Sequence, residues 1–178
     1  MEEASVITMI RAGNVDAFSG VVEEYQQPII RYLYRLTGEL AIAQDLTQDT
    51  FIQAYKSIIK TNSDIQMKAW LYKIATNNAR QLFRRKKLLN FISFDGHKQP
   101  DSLAIDDKTA QTGENLDIRE TLRKIPLEQR ECLVLHFVEG FKYREIGEAL
   151  GISEDAVRMR ISRGKTAFLA LYQGGEKL

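Results

Sequence analysis

The 178-residue sequence predicts an all-α protein of two small helical domains joined by a flexible acidic linker. Three observations carry that prediction. Apolar residues recur at helical spacing through nearly all of the chain before residue 90, which marks helices with one buried face each. Between Asp95 and Asp117 the pattern lapses into acids, glycine and proline. From Leu116 it resumes and ends in two short helices hinged at Gly151. The domain boundaries expected from this are 1–90, a linker over 91–114, and 115–178.

Asn14 can cap a helix in which Phe18, Val21, Val22, Tyr25, Ile29, Tyr32, Leu33 and Leu36 share a face, and Gly38 can end it. Pro28 lacks an amide proton and predicts a kink or a split there. A helix from roughly 40 to 59 turns Ala43, Leu46, Phe51, Ala54, Tyr55 and Ile58 inward. Another from about 65 to 87 does the same with Met67, Trp70, Leu71, Ile74, Ala75 and Leu82. The following stretch holds six acids (Asp95, Asp101, Asp106, Asp107, Glu114, Asp117) against two lysines, with Gly96, Pro100 and Gly113. It has too few apolar residues to fold alone. Extended, it reaches on the order of 80 Å, about two turns of B-DNA at roughly 34–36 Å each, enough for two modules to occupy separate DNA sites. Past it, Ile125-Pro126 is a junction and Pro126 opens a helix through Val138.

The C-terminal pattern is the sharpest. Tyr143 to Leu150 places Ile146, Ala149 and Leu150 on one helical face, and Gly151 stops that helix. Ser153 is a good N-cap, Glu154 and Asp155 suit the positive end of the helix dipole, and Val157, Ile161, Gly164, Phe168 and Leu171 form the next apolar stripe. Asp155, Arg158, Met159, Ser162 and Arg163 face outward, within a helix that carries four cations, Arg158, Arg160, Arg163 and Lys165. A charge run alone is usually a solvated face. Joined to a three-residue turn and two apolar stripes, it is helix-turn-helix arithmetic, and an arginine fork matches phosphates and guanine edges.

Composition limits the alternatives. A net charge of +1 excludes a uniformly basic nucleic-acid binder, so DNA contact must come from local patches. The single cysteine, Cys132, sits among Leu133, Val134 and Leu135 and reads as a buried thiol. The N-terminal "MEEASVITMIRAG" has too short an apolar run and acidic flanks for a signal peptide, and no stretch approaches a membrane span, so the chain is expected in the cytoplasm. His97 and His136 are the only histidines, and the sequence offers no metal-ligand cluster, phosphate-cradling glycine loop or supported nucleophile. No enzyme activity, cofactor, metal or small-molecule substrate is expected.

Two further surfaces stand out. Asp45, Gln48 and Asp49, at i, i+3 and i+4, share a polar face opposite an apolar stripe. Lys73, Asn77, Arg80 and Arg84 align on another helix, which ends in five cations among the eight residues Arg80 to Lys87. Cations beside amides and aromatics suit unstacked bases and a single-stranded backbone.

Together, "AQDLTQDTFIQAY", "AWLYKIATNNARQLFRRKK", an acidic linker and "IPLEQRECLVLHFVEGFKYREIGEALGISEDAVRMRISRGKTAF" resemble, in order and over almost the whole chain, a bacterial RNA polymerase sigma factor of the extracytoplasmic-function type, group 4 of the sigma-70 family. The resemblance implies a sigma domain 2 bundle followed by a sigma domain 4 helix-turn-helix. It implies that Asp45, Gln48, Asp49 and Phe51 grip core RNA polymerase. Asn77 would capture a flipped base of the minus-10 element, with Lys73, Arg80, Arg84 and Arg85 on nearby phosphates. Arg158, Met159, Ser162 and Arg163 would lie in the minus-35 major groove. Partners implied are core polymerase, promoter DNA and an anti-sigma factor, membrane-bound in many such systems. With Leu178 soon after the recognition helix, no extended C-terminal regulatory domain is expected.

Two other classes compete. A stand-alone helix-turn-helix regulator would explain residues 143 to 168 and leave 44 to 87 as coincidence. A DNA-processing enzyme would need a carboxylate cluster or a supported nucleophile.

Overall fold

Local signals set the helix boundaries. Asn14 accepts a hydrogen bond from the Ala17 amide at 3.1 Å, and Gly38, at φ 79°, closes the same helix by donating to the Tyr34 carbonyl. Gly151, at φ 67°, and Ser153, which accepts from the Ala156 amide at 3.2 Å, make the C-terminal hinge. The computed structural model describes residues 3–60, 65–92 and 113–175. These form α1 (Glu3–Arg11), α2 (Val15–Thr37), α3 (Leu40–Ile58), α4 (Met67–Ile92), α5 (Gly113–Lys124), α6 (Leu127–Phe137), α7 (Tyr143–Leu150) and α8 (Glu154–Gly175). No strand occurs among the described residues. Of the linker expected over residues 91–114, residues 93–112 lie outside them, while 91–92 belong to α4 and 113–114 to α5.

α2 runs through Pro28 as one helix and does not split. Proline removes one backbone hydrogen bond, but Ile29, Tyr32, Leu33 and Leu36 beyond it are fully buried, and that packing keeps the helix continuous. α1, to which the sequence assigned no specific pattern, buries Ile7 and Ile10 against the bundle. Two residues expected inside, Tyr55 and Leu171, are exposed. Tyr55 lays its ring edge-on to Phe18 at 5.0 Å from the rim of the bundle.

The two halves pack together. α2 packs on α5 and α6, and α4 packs on α7. One apolar core continues from Ile7 in α1 through Tyr32, Leu71 and Tyr72 to Phe141, Ile146 and Ile161. This is why Tyr72 is buried: α4 has a second packed face, on which the Tyr72 ring meets Phe141 of the C-terminal half at 5.1 Å.

Candidate nucleic-acid interface

The helix-turn-helix depends on two close approaches. Gly147 packs so tightly on the turn that a Cβ there would lie 2.8 Å from the Ile152 carbonyl oxygen. Gly164 lets α8 settle on α6, since a Cβ would lie 2.9 Å from Leu133 Cδ1. With Val157 and Ile161 buried on that side, α8 turns Arg158, Met159, Ser162 and Arg163 to solvent. Met159 is 52% exposed. Arg158 is tethered in its own first turn to Asp155 at 2.9 Å and Glu154 at 3.4 Å. Such exposed pairs are worth little and break easily in favour of a phosphate. Arg160, one of the four cations of the row, faces inward. It pairs with Glu128 at 3.0 Å and approaches Glu131 at 3.8 Å.

On α4, the residues flanking Asn77 are pinned. Thr76 shares a 2.7 Å hydrogen bond with the Tyr32 hydroxyl and donates to the Tyr72 carbonyl at 2.7 Å, while Asn78 donates to Thr50 Oγ1 at 3.2 Å. Two buried hydrogen-bonded neighbours fix the rotation of the helix, and Asn77 between them is left exposed. Lys73, Arg84 and Arg85 are exposed as well. Arg80 is not. Its guanidinium makes a bidentate pair with Glu131 of α6, Nε to Oε2 at 3.0 Å and Nη2 to Oε1. The structure thus assembles Lys73, Asn77 and Arg84 on one open face and withholds Arg80 from it.

On α3, Asp45, Gln48 and Asp49 are exposed on one face, as the spacing requires. Phe51 is a core residue, edge-on to Phe18 at 6.4 Å, so it supports the face from beneath and does not offer itself as a contact. The face continues into Ile52, 51% exposed, and Tyr55. Ile52 lies one turn from both Gln48 and Asp49, and the 3.6-residue period alone would have placed it on their side.

Sequence reasoning missed the polar seam between the halves. Glu131 is 0% exposed, held by Arg80 and approached by Arg160. Burial pushes its carboxyl upward in pKa, opposed by Arg80 and Arg160, while the bond to Glu131 raises that of Arg80. Next to it, the buried Arg130 donates to the carbonyls of Leu36, Arg123 (2.7 Å) and Ile125 (2.9 Å). Burial, then the nearby Arg123, lowers its pKa to about 10, so it stays charged at neutral pH. At the far end, Tyr72 donates to Glu139 at 2.6 Å and Lys68 donates to the Glu139 carbonyl at 2.8 Å. No sequence pattern pairs residues so far apart.

Fold and faces define a helical protein with a helix-turn-helix at its C-terminal end and a second, acid-and-amide face exposed on its N-terminal half. Residues 21–88 match the family Sigma-70 region 2, and residues 115–168 match Sigma-70, region 4. RNA polymerase sigma factor CarQ of Myxococcus xanthus is 32% identical over 155 residues, covering 86% of this chain and 88% of that protein. ECF RNA polymerase sigma factor SigW of Bacillus subtilis is 29% identical over 171 residues, covering 90% and 91%. The sigma factor RpoE of Bartonella quintana, solved in complex with the anti-sigma factor NepR, shares the fold at a TM-score of 0.75 and 22% identity, over 88% of this chain and 96% of that one. The chain belongs to the RNA polymerase sigma factors of the extracytoplasmic-function group. That membership favours a promoter-recognition subunit of polymerase over the stand-alone regulator. No helix among the described residues is long and apolar enough to cross a membrane.

Proposed function

We propose that this chain directs core RNA polymerase to promoters through two readers, one in residues 1–90 and one in 115–178, and carries no chemistry of its own. The observation that supports this best is the outward face of α8, where Arg158, Met159, Ser162 and Arg163 are exposed behind a tightly packed turn. In this reading they lie in the minus-35 major groove, where a bidentate arginine discriminates bases by about 1–3 kcal/mol. Asn77 takes a flipped base of the minus-10 element, and Lys73, Arg84, Arg85 and, once released, Arg80 hold phosphates. Capturing unstacked bases offsets an unpairing cost of a few kcal/mol and so favours melting. Asp45, Gln48 and Asp49 dock on core polymerase over the support of Phe51, with Ile52 and Tyr55 extending that contact. Two weak readers gain avidity once one scaffold holds both.

An anti-sigma factor is the natural antagonist, because the similar fold of the Bartonella quintana protein was solved with one bound. The working place is the cytoplasm, at the nucleoid when polymerase is engaged and at the inner membrane face when the antagonist is membrane-bound. The test is transcription in vitro with sigma-free core polymerase on genomic DNA from the source organism, with transcript 5′ ends sequenced. Discrete starts sharing two upstream elements are expected. Failure to bind core at all would return the stand-alone regulator to first place.

A further inference from the structure

Tyr32, Thr50, Thr76 and Asn78 are polar side chains inside the N-terminal bundle, none more than 6% exposed. They form two hydrogen-bonded pairs between helices. The Tyr32 hydroxyl of α2 meets Thr76 Oγ1 at 2.7 Å, and Asn78 Nδ2 donates to Thr50 Oγ1 of α3 at 3.2 Å. The threonines settle the donor direction. Each has one hydroxyl proton and gives it to a carbonyl of its own helix, Thr76 to Tyr72 at 2.7 Å and Thr50 to Leu46 at 2.7 Å. Tyr32 therefore donates to Thr76, and both threonines are acceptors held in one orientation. Stability alone does not call for such pairs, since replacing both partners by apolar groups of the same shape is close to neutral. What a satisfied buried pair adds is a preferred orientation, because hydrogen bonds weaken with angle while apolar contact is non-directional.

The orientation set here is that of α4 about its own axis. Successive residues of a helix are about 100° apart, so Thr76 and Asn78 stand on either side of the exposed Asn77, and a roll of α4 distorts both pairs. A roll of about 10° moves a group roughly 5–6 Å from the axis by about 1 Å, beyond the tolerance of about 0.5 Å that a binding group allows. We propose that Tyr32, Thr50, Thr76 and Asn78 are positioning residues for promoter recognition. They hold the Asn77 amide in register with the base it takes, and so set selectivity at that base without touching DNA. Because α3 also carries Asp45, Gln48 and Asp49, Thr50 ties this register to the helix read above as docking on polymerase. The proposal rests on the reading of Asn77 as the base-capturing residue.

Tyr32→Phe and Thr50→Val each remove one interhelical bond and keep the bulk, while Thr50→Ser keeps the hydroxyl. Each full-length variant is assembled with core polymerase and assayed for open-complex formation on a promoter mapped by its transcript 5′ end, with every minus-10 position substituted singly. Asn77→Ala identifies the position whose base is read, and there it should lower the preference for the native base about tenfold. Tyr32→Phe and Thr50→Val should lower the same preference about threefold each, with Thr50→Ser at the wild-type value and minus-35 preferences unchanged. In the Asn77→Ala background the two substitutions should add nothing, because they act through Asn77. Thermal unfolding of each variant separates stability from selectivity. A preference left intact by both substitutions, whatever happens to stability, overturns the proposal. So does a loss spread equally over all positions, the mark of a loosened bundle. If Thr50→Val does not fold, Tyr32→Phe decides alone. An Asn77→Ala chain with every minus-10 preference intact, or a wild-type chain that forms no open complex, defeats the promoter reading, and the positioning role falls with it.

Discussion

The guanidinium of Arg130 donates to the backbone carbonyl of Leu36, 94 positions earlier in the chain. The last carbonyls of a helix have no partner within it, and here α2 borrows one from the other half. Replacing Arg130 by Met keeps the bulk and strands three carbonyls. A loss of about 2–4 kcal/mol is expected, since each buried polar group left unsatisfied costs about 1–3 kcal/mol and water reaches some of the three. Urea unfolding followed by circular dichroism measures it, and a shift too small to resolve would show that water substitutes for the guanidinium.

Arg163 and Arg84 are expected to fail differently on promoter DNA in the presence of core polymerase. With Arg163 in the major groove, as proposed, Arg163→Ala removes a fork on base edges, so it should cost about 1–3 kcal/mol and relax discrimination within the minus-35 element. With Arg84 on a phosphate, as proposed, Arg84→Ala should weaken binding across all sequences and lower the slope of log K against log salt by about 0.9. Identical effects of the two substitutions on specificity would remove the distinction between reader and clamp.

What the sequence made legible follows from which residues advertise their surroundings. Asn14, Gly38, Gly151 and Ser153 announce helix ends by their own chemistry, and each caps or ends a helix as its type requires. The apolar stripe of α7 lies buried, that of α2 lies buried or half-buried, and Asp45, Gln48, Asp49, Asn77, Arg158 and Arg163 lie exposed. The failures are the polar residues of the seam. Charged side chains are almost never buried unless paired, and a pairing such as Arg80 with Glu131, 51 positions apart, leaves no trace in local period. Arg160 therefore joins the cationic row by sequence yet faces Glu128, and Phe51 adjoins the polar face by sequence yet lies beneath it.

Two glycine-to-alanine substitutions should move stability in opposite directions. Gly20 lies inside α2 with nothing within 4 Å of a Cβ, so Gly20→Ala gains helix propensity alone, about 0.8–1.0 kcal/mol. Gly147→Ala gains the same propensity in α7 but drives a Cβ to 2.8 Å from a backbone oxygen in the turn, which cannot rotate away. Overpacking costs about 1–3 kcal/mol, so the net effect is a loss, accompanied by weaker minus-35 binding. Thermal unfolding of the pair decides it, and a stabilised Gly147→Ala would mean the turn is softer than its packing implies.

Three buried acids make the fold sensitive to alkali. Burial, then Glu131, pushes the Cys132 thiol up from 9.0 to about 12. Burial raises the Tyr32 hydroxyl well above its ordinary 10.0, and burial with the bond to Glu139 raises that of Tyr72. For each group the folded chain holds its proton where the unfolded chain has lost it, so stability is full below the ordinary value and falls as pH rises above it. Cys132 alone contributes from pH 9, at about 1.4 kcal/mol per pH unit, and the two tyrosines join it above pH 10. Arg130 acts in the opposite sense, because burial lowers its pKa from 12.5 to about 10 and the unfolded chain then binds the extra proton. One group opposes three, so the net slope is downward. Equilibrium unfolding should be level to about pH 8.5 and then lose stability steeply between 9 and 11. Cys132→Ala should remove the first part of that fall, and the native thiol should react slowly with iodoacetamide at pH 8 and quickly once unfolded. A stability profile flat to pH 11 would mean that these groups ionise as readily in the fold as in water.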